Sequence, residues 1–191
     1  MGDFLSSPFN LNPSKNPMKN LLIVALLALS LHAFSQGQFQ KETSGNLSYL
    51  SGQVTMLAAA IPADKYSWAP EAGVRSVAEV LSHIVSANYF FASKLGGKIP
   101  DGVKMETLEK DLKTKEALAT ELKRSYETII AAVKSLPDAS LSQKVEFPFP
   151  GEYTGMSAAL IALGHTNEHL GQLIAYSRMN HITPPWNQAK K

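Results

Sequence analysis

His165 and His169 stand four residues apart in a stretch that is otherwise largely apolar, so on a helix their side chains lie one turn above each other on the same face. That spacing lets two imidazoles reach one metal ion from a single rigid element. It is not the H-E-x-x-H protease pattern, because the nearby acid, Glu168, directly precedes His169 and points elsewhere around the helix. His83 falls between Val80 and Ala87, on the inward arc of an earlier amphipathic segment when residues advance by about 100° each. Three imidazoles facing one core would make a three-nitrogen site with an open coordination position, the arrangement of a catalytic rather than a structural metal. Each histidine taken singly reads as well as a hydrogen-bonded core residue. Ligation is favoured by the set of three on inward faces, with few other buried polar groups to satisfy them. The chain has no cysteine, which excludes thiolate zinc sites, iron–sulfur clusters, disulfides, a cysteine nucleophile and c-type haem attachment. With no thiolate to offer, the chain would hold a divalent metal by nitrogen and oxygen, and imidazole alone does not choose among zinc, nickel, copper and iron.

The elements that must position these side chains are helices. Leu47, Leu50, Val54, Leu57 and Ile61 recur at three and four residues, the seam of an amphipathic helix that Pro62 ends. A loop with two prolines and a glycine follows, in which Trp68 is expected to plug the end of a bundle and Arg75 to brace the loop. Ser76-Val77-Ala78-Glu79 has the form of a capping box. The second helix runs from it with Val77, Val80, Leu81, Ile84, Ala87, Phe91 and Leu95 on one face, to a stop at Gly96-Gly97. Leu118, Leu122, Tyr126, Ile129, Val133 and Leu136 mark a third helix stopped by Pro137. Residues 105–112 read either as its first turns or as a separate short helix. The two prolines of VEFPFPG, residues 145–151, exclude helix and predict an extended connection. A fourth helix is expected from near Thr154 to about Arg178, with Met156, Leu160, Leu163, Leu170 and Ile174 along its buried stripe. Four amphipathic helices with no strong strand signal predict an all-α four-helix bundle. Asn88, Gln172 and Tyr176 share faces with the histidines, and read either as pocket lining or as hydrogen-bond partners of the ligands. His181 reads as a solvated loop residue.

Residues 21–31, LLIVALLALSL, follow Lys19 and precede Ala33-Phe34-Ser35. A basic start, a short apolar core and small residues before a cut are the marks of a secretory signal peptide, here cleaved before Gln36. The run is short for a hydrocarbon layer about 30 Å thick, and an uncut N-terminal anchor is the alternative. Met18-Lys19-Asn20 would make an ordinary signal start, so residues 1–17 are a candidate upstream extension of the reading frame. The expectation is a signal peptide over residues 1–35 and one four-helix domain over residues 36–191, exported to the periplasm or the medium, with no stable membrane span after cleavage. A length of 191 residues, 45% of them hydrophobic, suits one domain plus a processed segment. With 18 basic against 16 acidic side chains and 8% aromatics, nothing in charge or stacking capacity supports nucleic-acid binding.

Several segments together resemble the DinB/YfiT-like family of small metalloenzymes, which is unrelated to the DNA polymerase sharing the first name. The carriers are Tyr66-Ser67-Trp68-Ala69-Pro70 before Gly73, then Arg75-Ser76 leading through Glu79-Val80-Leu81 to His83, and His165-Thr166-Asn167-Glu168-His169-Leu170-Gly171-Gln172 running on to Tyr176-Ser177-Arg178 and Pro184-Pro185. The resemblance covers roughly residues 44–186. It implies a DinB-like four-helix bundle holding a divalent metal, commonly zinc or nickel, by one histidine of the second helix and two of the fourth, roles that fall on His83, His165 and His169. It also implies a homodimer and a small-molecule substrate, since some relatives are thiol-dependent transferases or isomerases. An ion held by three neutral imidazoles keeps its double positive charge, and can lower the pKa of bound water toward about 7 or stabilise a thiolate. The first role gives a hydrolase and the second a thiol-dependent transferase. Export departs from the family's mostly cytoplasmic members and weakens the thiol reading, because small-thiol pools are chiefly cytosolic. The alternative is a non-catalytic exported bundle that binds metal, haem through a Met56 and histidine pair, or a protein partner.

Overall fold

The computed structural model describes residues 37–188, so the signal segment expected over residues 1–35 lies outside the described residues. Four long helices make up the architecture: α1 (Gln38–Ala60), α2 (Val77–Lys94), α3 (Lys115–Ser135) and α4 (Gly155–Met179). Their boundaries follow local chemistry. Ser76 Oγ accepts from the Glu79 amide at 3.3 Å while the Glu79 carboxylate accepts from the Ser76 amide at 2.8 Å, closing the expected capping box. Thr114 and Thr154 cap α3 and α4 through their hydroxyls, each such cap contributing about 1 kcal/mol. At the other end of α2, Gly96 adopts φ +76°, the left-handed conformation that glycine reaches without a Cβ clash. Residues 105–112 contain a separate helical turn, Leu108–Asp111, set apart from α3 by the extended backbone of Leu112. VEFPFPG is free of helix as expected, with a bend over residues 148–151, and among the described residues the one isolated strand-like pairing is the antiparallel bridge between Lys144 and Thr154.

α1 and α2 each pack chiefly against α3 and α4, so α1 faces α2 across one diagonal of the bundle and α3 faces α4 across the other. Contacts near the helix ends set their directions. Gln40, early in α1, donates to the Leu136 carbonyl just past α3 at 2.9 Å, while Lys115 at the start of α3 donates to the carbonyls of Ala59 and Ile61, both at 2.7 Å. α1 and α3 are therefore antiparallel, with the lysine ammonium answering carbonyls left free at the α1 C-terminus. α2 and α3 run parallel: Tyr89 donates to Glu121 at 2.8 Å, and Gly97, just past α2, closes on Ala132 late in α3. Tyr176, late in α4, donates to the Arg75 carbonyl just before α2, which makes α2 and α4 antiparallel. The order is up-down-down-up. A parallel neighbour cannot be reached by a tight turn, so residues 95–114 run back along the bundle before α3 begins. This return lays the turn Leu108–Asp111 against α2, with Leu108 and Leu112 buried.

The core is built from Leu47, Val54 and Leu57 of α1, Val80, Leu81 and Ile84 of α2, Leu122 and Ile129 of α3, and Leu173 of α4, all without solvent exposure. Removing each such side chain from water contributes about 1.5–3 kcal/mol. α4 departs from expectation, because Met156 and Leu160 are 39% and 49% exposed while Ala158, Ala159, Ala162, Thr166, His169 and Leu170 face inward. The helix is apolar over most of its circumference, so the spacing of its large side chains does not mark the buried face. Small inward residues let it approach its neighbours closely. At Gly155 a Cβ would fall on the carbonyl oxygen of Ser140, in the 3-10 turn Asp138–Ser142. Among the described residues no helix is long and apolar enough to cross a membrane.

Candidate metal centre

His83 lies in the second turn of α2, and His165 and His169 lie in the middle of the antiparallel α4. All three expected residues converge. His165 Nε2 stands 3.1 Å from His83 Nε2 and 3.2 Å from His169 Nε2, and one nitrogen from each ring lies within 4.8 Å of the others. Nitrogens bound at 2.0–2.1 Å to a tetrahedral ion are about 3.4 Å apart, so little adjustment separates this cluster from a coordination shell.

The outer nitrogens are also committed. His83 Nδ1–H donates to Glu109 Oε1 at 2.9 Å, and His169 Nδ1–H donates to Gln172 Oε1 at 2.8 Å. Each bond sets the tautomer with hydrogen on Nδ1 and leaves a bare lone pair on Nε2, aimed at the centre. His165 Nε2–H can donate to one of these lone pairs but not to both. Hydrogen bonding within the cluster therefore falls one hydrogen short, whereas a cation would satisfy all three nitrogens. This donor set fits a divalent ion that accepts imidazole, as zinc and nickel both do.

The orienting bonds continue outward. Gln172 Nε2 donates to the Tyr176 hydroxyl at 2.8 Å, and that hydroxyl donates to the Arg75 carbonyl at 3.1 Å. The Trp68 ring meets Tyr176 edge-on at 5.3 Å, so the residue expected to plug the bundle end also steadies this chain. On the opposite side the Phe91 ring lies 5.8 Å from that of His165, and Phe147 of the VEFPFPG segment packs against Phe90 and Phe91. Burial, followed by the charges of His169, His83 and Arg75, pushes His165 down to about 3. Burial also lowers His169, with the Gln172 bond opposing the shift. Both rings are thereby kept neutral near pH 7, which is the form that ligates.

Gln172 and Tyr176 thus act as hydrogen-bond partners rather than as open pocket lining. Asn88 does neither: it is buried and donates to Ser125 at 3.1 Å, on the α3 side of the bundle. Glu168 is exposed and off the cluster, as its place in the helix implies. His181 is exposed just past α4 at φ +59°. Met56 is 47% exposed on α1. Glu109 is absent from the sequence reading, being 26 residues from its histidine partner. Its local sign is the pair Leu108 and Leu112, whose burial pins the carboxylate between them against α2.

A family model described as the DinB superfamily matches residues 50–173. The chain belongs to the DinB superfamily. Within this superfamily, the chain is similar to the uncharacterized protein YjoA of Bacillus subtilis, with 29% identity over 140 residues, covering 70% of this chain and 86% of YjoA. The crystal structure of YjoA, a DinB-like protein, superposes with a TM-score of 0.60 at 23% identity, covering 78% of this chain and 99% of that one. A DinB-like protein from Bacillus cereus superposes with a TM-score of 0.61 at 18% identity, covering 72% of this chain and 90% of the other. These structural likenesses establish the DinB-like fold.

Proposed function

We propose that the protein is an exported metal-dependent enzyme acting on a small molecule, with one zinc or nickel ion held by His83, His165 and His169. The observation that carries this reading is the convergence of three Nε2 atoms whose rings are already oriented, two of them by hydrogen bonds at Nδ1. A divalent ion at this centre would supply Lewis acidity, with a coordination position left for water or substrate. The protein's own share is orientation and exclusion of water. Glu109 and Gln172 hold the Nδ1 hydrogens, Tyr176 ties Gln172 to the loop before α2, and Phe91 covers one side of His165. The export signal expected from residues 21–31 favours hydrolysis over transfer to a small thiol. The assembly proposed is a homodimer, and a monomeric mass by light scattering would refute that part.

The decisive test is metal content in protein purified without a nickel column. One equivalent of a transition metal is expected, and less than about a tenth of an equivalent sinks the reading. His83→Ala separates the three-histidine site from an adventitious α4 pair. It should weaken metal binding steeply, and unchanged stoichiometry and affinity would refute the assignment.

A further inference from the structure

We infer that Arg75, Lys110 and Lys113 form an anion-binding subsite beside the three histidines, which takes the carboxylate or phosphate group of a small-molecule substrate whose reacting end reaches the imidazoles. A cavity of about 560 Å³ is lined by these three cations together with Glu79, Ser82 and Glu109. That volume lies in the range of small-molecule sites, about 300–1,000 Å³. The cavity lies behind His83 and meets the histidine cluster through Glu109 in its wall, which is bonded to the outer Nδ1 of His83 at 2.9 Å. Arg75 is tied to the same centre from the other side, since its carbonyl ends the chain that runs from His169 through Gln172 and Tyr176.

Charge decides what the cavity takes. Its two carboxylates, Glu79 bonded to the Ser76 amide and Glu109 bonded to His83, keep their charge, so three cations against two acids leave the wall positive by one. Arg75, Lys110 and Lys113 form no ion pair among the described residues. The wall therefore keeps an excess of one positive charge, and its cations include a guanidinium able to grip a carboxylate or phosphate through two parallel hydrogen bonds. A second cavity, of about 440 Å³, shares Gly73, Val74, Glu79 and Lys113 with the first and gives room for the remainder of a larger molecule.

This subsite deepens the metalloenzyme reading, and its test is arranged so that the two fail separately. Succinate and inorganic phosphate are titrated by calorimetry into zinc-loaded and metal-stripped full-length protein, for the native chain and for Arg75→Ala, Lys113→Ala and Arg178→Ala. Arg178 is exposed near the end of α4 and is not part of the cavity wall. Arg75→Ala keeps the bond from Tyr176, which uses only the backbone carbonyl. At least one probe is expected to bind, about tenfold more weakly in Arg75→Ala and measurably more weakly in Lys113→Ala, with Arg178→Ala unchanged and affinity falling as salt rises. The probe that binds tells carboxylate from phosphate. The same dependence on Arg75 in stripped protein upholds the subsite even where no metal is taken up. The inference is overturned when neither probe binds either form, or when both bind Arg75→Ala as tightly as the native chain.

Discussion

α3 and α4 face each other across a diagonal of the bundle, and their buried faces are made of different material. α3 turns Leu118, Leu122, Ile129 and Val133 inward and keeps Lys123, Glu127 and Lys134 in water. α4 turns inward three alanines, Thr166, His169 and two leucines, and leaves Met156, Leu160 and Met179 exposed. The first helix is held by apolar burial, which separates polar from apolar residues around its circumference and so leaves a clear period in the sequence. The second has given inward positions to groups that must be oriented rather than merely buried. His169 is held by Gln172 and Tyr176 of its own helix, braced by the Arg75 carbonyl, and His83 opposite is held by Glu109. One corner of the bundle is apolar packing, and the other holds the histidine cluster.

Substitutions on the two helices should therefore act on different observables. Leu122→Ala should lower stability to denaturant by about 2–5 kcal/mol through lost burial and the cavity left behind, with metal content per folded chain unchanged. Loss of metal from folded Leu122→Ala would break the contrast. His169→Ala should weaken zinc affinity in competition titrations by more than about 100-fold, or about 2.7 kcal/mol, while metal-free stability falls by less than in Leu122→Ala. A stability loss as large as that of Leu122→Ala would place His169 among packing residues instead. Glu109→Gln should weaken affinity by about tenfold with the fold intact, because the amide still accepts the His83 hydrogen but brings no charge. An unchanged affinity would remove Glu109 from the centre and leave the contrast resting on α4 alone.

Much of this could be read along the chain because it depends on short spacings. His165 and His169 fall on one face for any helix, and Val80, Ile84 and Ala87 place His83 inward on the second. Ser76 and Glu79 close their capping box within one turn. The buried stripe of α4 was misplaced for a physical reason as well, since alanine and glycine mark a close approach that large side chains do not. Asn88 shares the broad inward face of α2 with His83, yet that face is wide enough to serve two neighbours, and Asn88 meets α3.

The sequence by itself determined the helical class, the stops at Pro62, Gly96 and Pro137, the three imidazoles and the exclusion of thiolate ligands in a chain without cysteine. Only the tertiary structure decided that α2 and α3 run parallel, and with that the path of residues 95–114 back along α2. Glu109 reaches His83 and lines the cavity with Arg75 because of that return. Periodicity reports which face of a helix is buried, but it carries no information on which way a neighbouring helix points. The partners of the three histidines depend on that direction, so they emerge only when the bundle closes.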